Sequence, residues 1–222
     1  MDIAALRISL TLALATVMVL LPLGVCAAHL LAFRAFRGKA VVEALVAVPL
    51  LLPPTVLGFY LLHAFSDRAP LGAAFEALAG QTLAFSFVGL LLASVIVNVP
   101  FVVQPIQRAF EAVPEEVRDA AACCGLSPLQ RFLRIEVPLA WPGILTAAML
   151  AFAHTLGEFG DVLMVAGNIP GETGTLSIAI YDRMQAFDDQ AAGVMAATLL
   201  VVAVATLSIT TWLGQSAGRR RG

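Results

Sequence analysis

Charge is scarce in this 222-residue chain: Asp, Glu, Lys and Arg make up 13% of it, as 15 acidic and 13 basic residues. That is too little to cover the surface of a soluble domain of this size, and a net charge of −2 offers no basic field for nucleic acid. Cysteine and histidine are equally sparse, at 3 each. Cys26 lies in an apolar run and Cys123 and Cys124 are adjacent, which gives neither a disulfide framework nor a Cys-x-x-Cys metal site; all three read as packing residues. His29, His63 and His154 fall in separate segments with no His-Glu-x-x-His pair, so each reads as a packing or interfacial residue. The Gly-x-x-x-x-Gly-Lys-Ser/Thr loop that cradles phosphates is missing, and if ATP drives this protein another subunit must bind it. Gly214-Gln215-Ser216-Ala217-Gly218 has the spacing of a nucleophile elbow, yet it leaves a helix for a basic tail and no His follows to serve as base. The reading is a non-enzyme without cofactor or metal.

What the chain has in abundance is apolar sequence, with 60% hydrophobic residues and a mean hydropathy of +0.92. Crossing about 30 Å of hydrocarbon takes about 20 helical residues at about 1.5 Å each. Five stretches qualify: Ile8 to Phe33, Val41 to Phe65, Thr82 to Val103, Leu139 to Leu156, and Ala191 to Leu213. The first is too long for a cleaved signal peptide and lacks a small-residue cleavage site before Arg34, so it reads as a retained helix. No linker or internal repeat divides the sequence. The expected fold is an all-α integral membrane protein of about five transmembrane helices, one domain over residues 1–222, with a loop at about 108–137 between the third and fourth spans.

Ten of the thirteen Lys and Arg residues fall on one side of these spans: Arg34, Arg37 and Lys39, then Arg108, Arg118, Arg131 and Arg134, then Arg219, Arg220 and Arg221. Positively charged loops stay in the cytoplasm. The expected topology therefore puts the N-terminus outside, with the 108–137 loop and the C-terminus inside.

That loop specifies its own shape. Pro114 can open a helix where its missing N–H costs nothing, and Gly125 can end it in a left-handed conformation. Ser127 is a natural N-cap for a second helix, with Pro128 at its first position and Gln130 where a capping box wants Glu or Gln. A rigid helix–turn–helix elbow follows, facing the cytoplasm.

The loop reads Asp119-Ala120-Ala121, three residues, Gly125, nine residues, then Ile135-Glu136-Val137-Pro138. This resembles the Glu-Ala-Ala loop of permease subunits of bacterial ABC importers, with Asp119 in place of Glu and Val137 in place of Leu. Two further stretches resemble the molybdate branch of these importers: Phe36 to Lys39 leading to Val48 through Gly58, and Leu156-Gly157-Glu158-Phe159-Gly160 followed by Gly167 through Thr173. The Leu-Gly-Glu-Phe-Gly pattern is shared with sulfate permeases, whereas Asn168-Ile169-Pro170-Gly171-Glu172-Thr173 favours molybdate.

The resemblance implies a type I importer permease in the bacterial inner membrane: two copies around a central path, two cytoplasmic ABC ATPase subunits below, and an extracytoplasmic oxyanion-binding protein above. Asp119, Ala120, Ala121, Gly125, Leu126, Ser127 and Pro128 would form the contact with the ATPase. ATP-driven closure would draw the elbows together and open the path outward.

No Lys or Arg lies in the middle of any predicted span, so a dianion meets no fixed cationic trap and selectivity falls to the binding protein. Pro49, Pro53 and Pro54 should interrupt the second span. Pro53, Pro54, Thr55 and Asn98 either pack helices together or line the path. Glu158 should repel an anion, so it reads as a hydrogen-bond acceptor at a helix end or as part of a gate. Rival readings are a sulfate or tungstate permease, a secondary transporter, which would carry an ionisable group deep in the bundle, and an intramembrane hydrolase, for which no nucleophile–base pair is in sight.

Overall fold

A computed structural model describes residues 2–219, with side chains through residue 208. Among the described residues every regular element is helical. The Gly214–Gly218 pattern and the Arg219–Arg221 tail fall outside the residues whose side chains are described.

Helix α1 (Ile3–Phe33) starts earlier than predicted because the Asp2 carboxylate caps it, accepting from the Ala5 N–H at 3.0 Å. Helix α5 (Phe87–Glu111) is shifted toward the C-terminus of the predicted Thr82–Val103 span. Ser86 sets its start by accepting from the Gly89 N–H at 3.1 Å, which leaves Thr82 to Phe85 in the preceding loop. Helices α8 (Val137–Gly157) and α11 (Asp189–Arg219) occupy the fourth and fifth predicted spans. Three short helices, α4 (Pro70–Ala79), α9 (Gly160–Ala166) and α10 (Leu176–Gln185), were not expected, since a search for membrane-length runs passes over them.

The predicted second span is two helices, α2 (Lys39–Leu51) and α3 (Pro54–Phe65), bent by 111°. Pro53 is extended at φ −56° and ψ 140°, as a residue before proline must be, and Pro54 opens α3 where no N–H is needed. Pro49 stays inside α2 without breaking it. The Glu43 carboxylate of α2 accepts from Gln107 near the end of α5, while the Phe65 carbonyl of α3 accepts from the Ala84 N–H just before α5 begins. The bent pair thus runs from one end of the bundle to the other. With the four helices long and apolar enough to cross alone, it makes a fifth span.

α5 is the centre of the bundle and packs on α1, α8 and α2. Leu20, Ala28, Leu31, Val102, Ile106, Phe110, Ala140, Ile144 and Ala147 form the core that α1, α5 and α8 share. Lipid tails are as apolar as this core, so close packing and polar contacts must hold the helices together. Buried Ala13, Ala28, Ala93, Ala147 and Ala151 permit the close approach. Thr16 donates to Ser94 at 2.9 Å, and the Asn98 amide donates to Thr155 at 3.0 Å, tying α1 to α5 and α5 to α8. Such interhelical bonds contribute roughly 0.6 kcal/mol each.

Candidate functional site

At the end where α1 and α5 finish and α2 and α8 begin, α6 (Glu115–Cys123) and α7 (Pro128–Arg131) form the elbow. α6 begins one residue after Pro114, which occupies the N-cap position and not the first helical one. Glu115 and Glu116 fill its first turn, where the helix dipole favours negative charge. Gly125, at φ +81°, lies in the left-handed region. Its N–H donates to the Ala122 carbonyl at 2.9 Å and the Leu126 N–H donates to the Ala121 carbonyl at 3.2 Å, the pair of bonds of a Schellman motif. Two residues later the chain turns into α7 through a complete capping box: Ser127 Oγ accepts from the Gln130 N–H, and Gln130 Oε1 accepts from the Ser127 N–H at 2.9 Å.

The elbow presents Asp119, Ala120, Ser127 and Pro128 to the exterior, with Ala121 turned inward and Leu126 half-buried. The Asp119 carboxylate is exposed and has no hydrogen bond or ion pair among the described residues. Beside this polar surface the rod that continues α7 exposes Leu129 and Leu133, at 66% and 56%. Both lie at the start of the continuous helix Pro128–Gly157, ahead of α8. Neither leucine was singled out in the sequence, although their four-residue spacing on one helix face is a signal. Cys123 and Cys124 are exposed in the last turn of α6, and Cys26 is exposed on α1, so none of the three packs in the core as expected.

A second feature was missed entirely. Between α7 and α8 the helix widens into a π-turn, Phe132–Glu136, and turns the Glu136 side chain inward to 1% exposure. Three groups from three elements meet its carboxylate: His29 Nε2 of α1 at 2.7 Å, Arg118 Nε of α6 at 2.9 Å and Arg131 Nε of α7 at 3.1 Å. Arg118 also lies over the Phe33 ring at 3.6 Å. His29 stands edge-on to Phe33, Phe110 and Phe132.

The residues proposed for the path differ in burial. Asn98 is fully buried, its amide donating to the Ser94 carbonyl at 2.8 Å and to Thr155, inside the packing of α5 and α8. Pro53, Pro54 and Thr55 are exposed at the break between α2 and α3. Glu158 lies at the break between α8 and α9, where its carboxylate accepts from the Phe159 N–H at 3.2 Å and faces His154 at 3.5 Å. The two breaks meet. A Cβ on Gly160 would come within 2.8 Å of Pro54 Cβ, and one on Gly58 within 2.8 Å of Met164 Cβ, so glycine is what lets α3 and α9 touch. Pro54 thus lies against Gly160, two residues beyond Glu158, while Asn98 is bonded to Thr155, one turn before it. Among the described residues no His, Cys, Asp and Glu group could hold a metal ion.

An apolar helical bundle with an elbow at one end and two broken helices apposed within it has the anatomy of a transport subunit. The sequence from residue 20 to 221 matches the family model described as the binding-protein-dependent transport system inner membrane component. The chain belongs to this family. It is 48% identical to the molybdenum transport system permease protein ModB of Azotobacter vinelandii, over 84% of this chain and 83% of that one. It is 35% identical to ModB of Escherichia coli K12, over 98% and 96% of the two chains. A probable sulfate transport system permease protein, cysT of Anthoceros angustus, is 36% identical over 84% of this chain and 64% of its own. The fold matches a chain of a bacterial alginate ABC transporter, crystallised in complex with an alginate-bound periplasmic protein, at a TM-score of 0.77 and 16% identity; the match covers 94% of this chain and 76% of the other.

Proposed function

We propose that this chain is the permease subunit of an ATP-driven importer that moves molybdate across the inner membrane by alternating access. The observation that carries the reading is the elbow: a helix–turn–helix fixed by its own caps, exposing Asp119 at the end of the bundle. Such a surface has no use within the chain and suits a groove on a partner. The partners are two cytoplasmic ABC ATPase subunits, a second copy of this permease and an extracytoplasmic oxyanion-binding protein. The whole chain, residues 1–222, acts as one permease domain. Its N-terminus lies outside and its C-terminus in the cytoplasm, a topology supported by the gathering of the Arg34 to Lys39 loop and the elbow at one end.

ATP-driven closure of the ATPases draws the two elbows together and tips the helices outward-open; hydrolysis restores the inward-open form. A ligand moves such an equilibrium only by its differential affinity for the two states, so the elbow contact must change with conformation. The junction of the α2–α3 and α8–α9 breaks, with Pro53, Pro54, Thr55 and Glu158, is the place on the path where the backbone is free of regular helix. Glu158, already engaged with its neighbouring N–H, acts there at a gate and not as an anion ligand.

Molybdate is favoured over sulfate by the 48% identity to the Azotobacter vinelandii permease and by the Escherichia coli permease, at 35%, matching over 98% of this chain, against 36% over 84% for the sulfate permease. The test is uptake by vesicles containing this permease with the ATPase and binding protein expressed from its own genome. ATP-dependent accumulation of molybdate that excess sulfate fails to suppress is the expected result. Accumulation of sulfate in preference to molybdate reassigns the substrate, and uptake without ATP overturns the importer reading.

A further inference from the structure

Glu136 occupies the unspecified position of the Ile-x-Val-Pro stretch, yet it is the most connected charged residue among those described. Its placement is costly, since a carboxylate at 1% exposure must be matched by good partners or it destabilises the fold. Here it is matched from three directions by His29, Arg118 and Arg131. The π-turn that aims it inward is a local departure from the α-helical path, of the kind that recurs at functional sites.

The partners belong to parts that have to move together if the elbow drives transport. α6, which carries Asp119, packs chiefly on α7 and the π-turn. Its polar ties toward the bundle run through Arg118, which reaches Glu136 at the root of α8 and the ring of Phe33 at the end of α1. His29 then joins the same carboxylate to α1. A push on α6 therefore has a stiff, hydrogen-bonded route into α1 and α8. Without the carboxylate, the same push can be absorbed by a change of angle between α6 and the rod.

Resting on the importer reading above, we infer that Glu136 is the positioning residue that makes the coupling elbow and the membrane bundle move as one body, and so sets the yield of transport per ATP. It touches neither substrate nor nucleotide; it acts through Arg118, Arg131 and His29.

The experiment uses the full complex in proteoliposomes and reads molybdate imported per ATP hydrolysed, beside the yield of assembled complex. Glu136→Gln keeps the shape and removes the charge. The ratio should fall about tenfold, the size of an ordinary coupling between sites. Arg118→Met, which cuts the link from the elbow side, should lower it similarly, and the double variant should fall no further, because residues acting through one contact are not additive. Glu136→Asp should recover part of the loss. If Glu136→Gln fails to assemble, Arg118→Met alone decides. An unchanged ratio in an assembled Glu136→Gln or Arg118→Met complex refutes the role, as does a double variant whose losses multiply. A parent complex that imports no molybdate removes the importer reading instead, whatever the variants do.

Discussion

Replacing Gly125 by valine isolates the shape of the elbow from everything else in the chain. A Cβ at this position meets nothing within 4 Å in this chain, so within the permease the substitution acts through the backbone. At φ +81° a β-branched residue carries a strain of about 2 kcal/mol. The chain can escape by leaving the left-handed region, but it then gives up the Gly125 N–H to Ala122 and Leu126 N–H to Ala121 bonds, at about 1 kcal/mol each. Either route costs about 2 kcal/mol, which shifts the equilibrium between correctly aimed and re-aimed elbows about 30-fold against the former. Gly125→Asn adds a comparable side chain that tolerates the left-handed region and should cost only a few tenths of a kcal/mol. Asp119→Ala removes an exposed carboxylate without altering the backbone and should weaken the ATPase contact by about 1 kcal/mol. The amount of permease in the membrane fraction should be unchanged in all three, since insertion depends on the apolar spans. ATPase co-purification and ATP-dependent uptake should fall in the order valine, alanine at 119, asparagine. Equal behaviour of Gly125→Val and Gly125→Asn, or normal uptake by the valine variant, would show that the loop is merely a connector.

Vesicles containing this chain alone should accumulate no molybdate under a proton or sodium gradient; robust uptake would place it among secondary transporters. In a variant without Cys26, Cys123 and Cys124, single cysteines at Gly38 and Gly218 should resist an impermeant reagent applied outside intact cells, and labelling of either would overturn the five-span topology. Gly58→Leu should lower the thermal stability of the detergent-solubilised protein by about 1 to 3 kcal/mol, because the new side chain meets Met164 Cβ at 2.8 Å; an unchanged melting temperature would mean that α3 and α9 do not pack this closely. Asn98→Ala should cost about 0.6 kcal/mol of stability through the lost bond to Thr155, and leave uptake near normal if Asn98 belongs to the helix packing; a large loss of uptake at normal stability would put it on the path.

The elbow was legible in the sequence because every signal that builds it acts within a few residues. Gly125 ends α6 through bonds to Ala121 and Ala122, and Ser127 and Gln130 cap α7 through each other, so neither needs the rest of the protein. The apolar spans were legible for a similar reason, since the bilayer fixes the length of helix that must cross it. Pro53 and Pro54 likewise announced an interruption. Their local geometry left open the 111° bend, and also that the break would meet the one at Glu158, more than a hundred residues away. His29 and Glu136 lie 107 residues apart, and Glu136 points inward only because a π-turn rotates it there. A sequence records the caps, breaks and apolar lengths that local forces read directly. Which buried charge finds which partner is settled by how α1, α6 and α7 come together at the start of α8, where the cost of an unpaired carboxylate selects the arrangement.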